Sequence, residues 1–257
     1  MRSCHGEAIL LEIADLQEAD RVVVFLSREH GKKRGAARGA KRKFSRFAGE
    51  LQPLAKARVA WFEKEGRELV RISAVEPLRV PKRLFAELEG MLAAAYVGES
   101  VATFAPEGEP VERIYRLTDS VVEALESGVE RELALRYFES WLLRLSGIFP
   151  PPETCPTCGA PLAAGAALAA SGEALLCRRC SRENAGALPV SDAALEFWRR
   201  IGRESLARMA ENPPARATVA EVEEVVGRIR RHFLQGEIRS YRVLQRTLAG
   251  LAEVEKR

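Results

Sequence analysis

Four of the five cysteines fall within one stretch, CPTCGAPLAAGAALAASGEALLCRRC, as two Cys-x2-Cys pairs with 18 residues between them. Two residues between thiols let both sulfurs reach one ion, and two such pairs complete a tetrahedron. The intervening residues are mostly Ala and Gly, and about 30 residues of that kind cannot order themselves by burial alone. The pattern therefore predicts one structural Zn²⁺ on Cys155, Cys158, Cys177 and Cys180. Gly159 suits the tight turn after the first pair, and Arg178 and Arg179 offset thiolate charge. Four protein ligands leave no open position for catalysis. A redox dithiol would need a βαβ pattern, which is absent around both pairs. Cys4 and His5 have no second pair nearby and are set aside as incidental.

The chain flanking this module changes character near residue 80. Before it, GEAILLEI, RVVVFLS, ARVAWFEK and ELVRISAV read as short strands, the last two as a hairpin around Gly66 and Arg67. Four or five strands in about 80 residues, with no helical crossover, suggest a small barrel or sandwich. After Pro81, apolar residues recur at helical spacing in 81–102, 110–127 and 130–150, and again in 191–210, 218–235 and 238–257. Thr218 and Glu221 form a capping-box pattern for the long late helix, and the last segment reads as a short helix with a frayed tail. The expectation is a multidomain α+β chain. Residues 1–80 form a β domain, and 81–257 a helical domain with the cysteine module inserted at 151–190.

Charge is distributed unevenly. Residues 1–80 hold 17 basic and 11 acidic residues, a net of +6, whereas the remainder has a net of −2. Nine cations lie between Arg28 and Arg46, namely Arg28, Lys32, Lys33, Arg34, Arg38, Lys41, Arg42, Lys43 and Arg46, against Glu29 alone. A run of one sign repels itself unless a polyanion neutralises it. Gly31, Gly35 and Gly39 punctuate the run and let the backbone turn and approach a ligand. Nucleic acid is the expected partner. Phe44 and Phe47 lie within the run as candidates to stack on bases; packing in the core is the competing role, more so for Trp61. The spacing of Gly35, Gly39 and Lys41 is not that of a phosphate-binding P-loop.

The three histidines form no metalloprotease motif, and neither a nucleophile elbow nor a dinucleotide fingerprint occurs. An enzyme is not expected. Acidic residues interrupt the N-terminal segment where a secretory signal would be apolar, and runs such as Met91–Val97 fall far short of the roughly 18 residues that span a bilayer. The cytoplasm is the expected compartment.

The succession EADRVVVFLSREHGK, RGAARGAKRKFSRFAGELQP, CPTCG…LLCRRC and SYRVLQRTL resembles the RecO family of bacterial recombination mediators over nearly the whole chain. The resemblance implies a five-stranded OB-fold at the N-terminus and binding of single- and double-stranded DNA. It also implies annealing of complementary strands and, with RecR and in some settings RecF, loading of RecA onto DNA coated by single-stranded-DNA-binding protein (SSB). It further implies contact between the helical domain and the acidic C-terminal tail of SSB. An RNA-binding or translation-associated OB protein remains the alternative, because both nucleic acids present phosphates.

Overall fold

The computed structural model describes residues 1–163 and 165–254, the last three of these by backbone alone. The frayed tail expected at the end falls largely on residues 255–257, outside the described residues.

Five strands form a closed barrel: β1 (Arg2–Asp15), β2 (Arg21–Ser27), β3 (Gly31–Ala37), β4 (Lys56–Glu63) and β5 (Val70–Arg79). Their order is β1-β2-β3-β5-β4, closed by β4 on β1, and only the short β3–β5 pairing is parallel. This is the OB-fold expected from the resemblance. Inward residues alternate along each strand, with Ala8, Leu10, Val23, Phe25, Val59, Trp61 and Ile72 at the centre. Phe25 and Trp61 meet edge to face with centroids 5.3 Å apart. Trp61 and Phe47 are thus core residues, which removes both as candidates for base stacking.

After the barrel come α1 (Leu88–Phe104), α2 (Glu112–Ser127) and α3 (Arg131–Leu145). The cysteine-rich segment follows, with β6 (Ala166–Leu168), β7 (Leu175–Leu176), α4 (Arg178–Ser181) and β8 (Leu188–Val190). The chain ends in α5 (Asp192–Ile201), α6 (Leu206–Glu211), α7 (Arg216–Leu234) and α8 (Arg239–Val254). Among the described residues no helix is long and apolar enough to cross a membrane.

Secondary structure changes near residue 80, but the compact units part elsewhere. One unit is 1–126 with 238–257, and the other is 127–237. The first unit extends past the barrel because α1 covers the second face of β1. Ile9 and Leu11 are buried there as fully as Ala8 and Leu10 on the inner face, which explains the weak alternation of GEAILLEI. At Gly98 the helix approaches so closely that a Cβ would lie 2.4 Å from the Leu11 carbonyl oxygen. Alanine gains about 1 kcal/mol of helix propensity over glycine, but this contact forces one backbone away from the other. Gly98→Ala is therefore expected to lower stability by about 1–2 kcal/mol, read as an earlier thermal midpoint. An unchanged or later midpoint would show that the helix sits more loosely.

The same unit is closed by α8. The Glu99 carboxylate on α1 accepts from the Arg239 and Ser240 N–H groups at 3.2 and 2.7 Å, satisfying two donors at the start of α8. Tyr96 and Tyr241 pack beside this cap, 4.8 Å between centroids. On α2, Asp119 takes Lys56 at 3.0 Å and pairs with Arg79, tying barrel strands to the helix.

In the second unit, α3 and α7 share a buried ionic network. Glu139 is held by Arg136 at 2.8 Å and by Arg230 at 3.2 Å, and Arg136 reaches Glu223 at 2.9 Å. Trp198 donates to Ser140 at 3.3 Å and packs edge-on against Phe149. The expected capping box at Thr218 is not formed. Helix α7 begins earlier, at Arg216 after Pro213 and Pro214, so Thr218 lies buried inside its first turns. Glu221 instead accepts from the backbone N–H and hydroxyl of Ser191, both at 2.6 Å, at the N-cap of α5. The helical segment 191–210 consists of two helices, α5 and α6, with Ser205 capping the second.

Candidate nucleic-acid interface and metal centre

The two Cys-x2-Cys pairs fold as different local structures. In the first, Cys155 N–H bonds to Ala160 O and Gly159 N–H to Cys155 O, both at 2.8 Å. Gly159 takes φ +71°, a left-handed turn that glycine adopts without strain. In the second, Cys177 is the N-cap residue of α4, and Ser181 N–H bonds to its carbonyl at 3.0 Å. The four sulfurs lie within 4.8 Å of one another, with Cys158 and Cys177 Sγ 3.7 Å apart. A tetrahedron with metal–sulfur bonds of about 2.3 Å has edges of about 3.8 Å, so the set can hold a metal ion.

The surroundings favour the thiolates of Cys155 and Cys177. Burial opposes ionisation of Cys155, but the backbone N–H groups of Cys177, Thr157 and Cys158 outweigh it and bring that thiol down to about 6. Cys180 is pushed up to about 12 by hydrogen bonding to Cys158 and by burial. Metal binding needs deprotonated thiols, so a dication bound here would displace the protons that remain on the four sulfurs. Arg179 bonds to the sulfurs of Cys158 and Cys180, which raises its own pKa, so this arginine is placed to offset thiolate charge. Two further arginines fasten the module to the helices of its unit. Arg199 donates to Leu162 O at 2.7 Å, and Arg228 to Gly186 O at 2.7 Å and Ala170 O at 3.2 Å.

The nine cations of the basic run divide into two groups. Four have partners within the first unit: Arg28 with Glu112, Lys32 with the Ala102 carbonyl at 2.7 Å, Lys33 with Glu63 at 2.9 Å, and Lys41 with Asp15 at 2.7 Å. The bond from Lys41 holds the Asp15 carboxyl below its usual range. Arg34, Arg38, Arg42, Lys43 and Arg46 are exposed and form no ion pair among the described residues. Phe44 is 93% exposed, with the Lys43 ammonium 5.8 Å from its ring centroid. An aromatic ring exposed to water costs free energy, and its face offers a surface on which a base can stack.

The run is also less flexible than its glycines suggest. Residues Gly31–Ala37 are strand β3 rather than a loop, and at Gly35 a Cβ would meet Ile72 at 2.6 Å, so this glycine serves barrel packing. The loop proper begins at Arg38. It is moored to the β1–β2 turn by Gly39 N–H on Asp20 Oδ1 at 2.8 Å and Lys41 N–H on Ala19 O at 3.0 Å.

That mooring shapes a groove of about 1110 Å³ between the β1–β2 turn, residues 36–42 and the β4–β5 hairpin. Arg38 and Arg42 line one side, and Lys64, Arg67 and Arg71 the other, with Asp20 and Glu68 as the acids. The Arg71 guanidinium lies over the Phe62 ring at 5.5 Å. In the OB architecture this face, between the first and last hairpin loops, takes oligonucleotides. Lys64, Arg67, Arg71 and Phe62 escape a sequence reading because KEGRE alternates in sign. Only barrel closure brings that hairpin beside Arg38.

The arginines of the helical part are mostly committed. Arg199 and Arg228 hold the module, Arg200 pairs with Glu204 at 2.9 Å, and Arg230 and Arg231 both reach Glu237.

Two family models match the chain, the Recombination protein O N-terminal model over residues 1–81 and the C-terminal model over 86–242. The chain is 32% identical over 246 residues to the DNA repair protein RecO of Desulforudis audaxviator, covering 96% of this chain and 98% of that one. It is 30% identical over 237 residues to that of Anaeromyxobacter sp. (strain K), covering 92% and 93%. For Geobacter metallireducens the identity is 34% over 205 residues, or 79% and 83%. With both halves matched in order, an OB barrel at the first and a four-cysteine cluster within the second, the chain belongs to the RecO family of DNA repair proteins.

Proposed function

We propose that this chain is a DNA-binding recombination mediator that holds a single strand by its phosphates in the groove between Arg38–Arg42 and the β4–β5 hairpin. The observation that carries the reading is the set of exposed, unpaired cations, Arg38 and Arg42 above all, on the ligand-binding face of an OB barrel. Phosphate contacts position a strand without reading its sequence and leave base edges free to pair. Phe44 adds a stacking surface that any base can use. These are the properties that annealing requires. In this reading the protein also binds duplex DNA and acts in the cytoplasm on nucleoid DNA. With RecR, and in some settings RecF, it helps RecA replace SSB, whose acidic tail engages the helical part. Zinc on Cys155, Cys158, Cys177 and Cys180 cross-links the module and has a structural role.

The test is anisotropy of a labelled single-stranded DNA oligomer at several salt concentrations. Engagement of about five phosphates gives a log–log salt slope near −3.5, with little dependence on sequence. Absence of binding at low salt would leave the groove without its ligand. Stronger competition by a matched RNA would move the reading to RNA.

A further inference from the structure

The β4–β5 hairpin has a second flank. Adjoining the groove already described, and sharing Met1, Lys64, Arg67, Glu68 and Val70 with it, a depression of about 730 Å³ lies between residues 63–68 and the N-terminal half of β3. Lys64 and Arg67 line both depressions, so one hairpin forms a wall common to two basic grooves. The second adds Arg2 and Arg34, both exposed and without an ion pair among the described residues. Two of its acids are already engaged. Glu63 accepts from Trp61 at 3.0 Å and pairs with Lys33, bonds that hold its carboxyl below the usual range, and Glu107 faces Lys32 at 3.8 Å. Glu65 and Glu68 remain, against Arg2, Arg34, Lys64 and Arg67.

We propose that this second groove holds a second polynucleotide strand, so that one chain carries two strands, one on each flank of the β4–β5 hairpin. The proposal rests on the reading of the first groove as a single-strand site. A hairpin is one sheet layer thick, about 10 Å, so the two backbones run about a Debye length apart and repel each other. Lys64 and Arg67, which line both depressions, offset that repulsion and outnumber Glu68, the acid that also lines both. Two strands held this close meet at an effective concentration in the millimolar range. The turn at Gly66 ends the wall, and bases of the two strands can pair beyond it.

The experiment is native mass spectrometry of the full chain with a four-residue oligothymidylate, at the short end of the site size of one OB fold and unable to pair with itself. The wild-type chain is expected to carry two strands. Arg2→Glu/Arg34→Glu is expected to carry one, and to anneal complementary 30-mers at least tenfold more slowly. A single strand on the wild-type chain, or two on that variant, would overturn the second groove and leave the first intact. No strand on the wild-type chain would remove the single-strand reading itself, and the second groove with it.

Discussion

Replacing Cys177 with Ser is expected to abolish stoichiometric zinc binding and to unfold the module between α3 and α5. Cys177 does two jobs, since its sulfur is one of the four clustered sulfurs and its backbone is the N-cap of α4. Little else orders the segment. Its sheet has strands of three, two and three residues, and the chain around it is mostly Ala and Gly. A structural zinc in small fingers contributes about 10–16 kcal/mol of apparent binding free energy at neutral pH. Losing one ligand of four should remove several kcal/mol of that, more than three short strands and the clasps from Arg199 and Arg228 supply. Zinc content and a thermal melt measure the effect, and a chelator should reproduce it on the unaltered chain. Cys4→Ser is the control, because Cys4 sits in the barrel opposite Trp61, outside the cluster. A Cys177→Ser chain with full zinc content and an unchanged melt would refute a structural role.

Reversing Arg38 and Arg42 together should weaken single-stranded DNA binding about a hundredfold at 50 mM salt. Each phosphate contact on a single strand contributes about 0.7 to the salt slope, or nearly one decade of affinity at that concentration. The double variant Arg38→Glu/Arg42→Glu should therefore flatten the slope by about 1.4. Arg28→Glu belongs to the same basic run, but Arg28 is occupied by Glu112. Its effect should stay below threefold. Equal losses from the two variants would mean that the run acts as a diffuse charge cloud rather than through a groove.

Much of this was legible in the chain itself. The clustering of the four cysteines follows from spacing, because a Cys-x2-Cys turn is a local structure whose geometry two intervening residues settle. The helices follow from periodicity, since their apolar stripes face the core wherever the helices pack. The basic run was visible as composition, but its division was not. Whether a lysine is free or paired depends on residues far along the chain, such as Glu63 for Lys33, Ala102 for Lys32 and Glu112 for Arg28. Strand β3 was hidden for a related reason. Its sequence, GKKRGAA, has no β-branched residue and only small apolar ones, and it is a strand because β2 pairs with it along its whole length. Lys64 and Arg67 gained meaning only once the barrel closed and brought two distant turns to one face.

The cap of Glu99 on α8 has a consequence for synthesis. The residues that Glu99 caps, Arg239 and Ser240, follow the whole of the second unit in the chain. At about 5–20 residues per second, a ribosome that has just finished residue 126 needs roughly 6–23 s to reach them. For that interval the barrel and its first two helices exist without their last helix, while residues 127–237 emerge as one continuous piece and can fold ahead of them. The part of the protein that is made first is therefore the last to be completed.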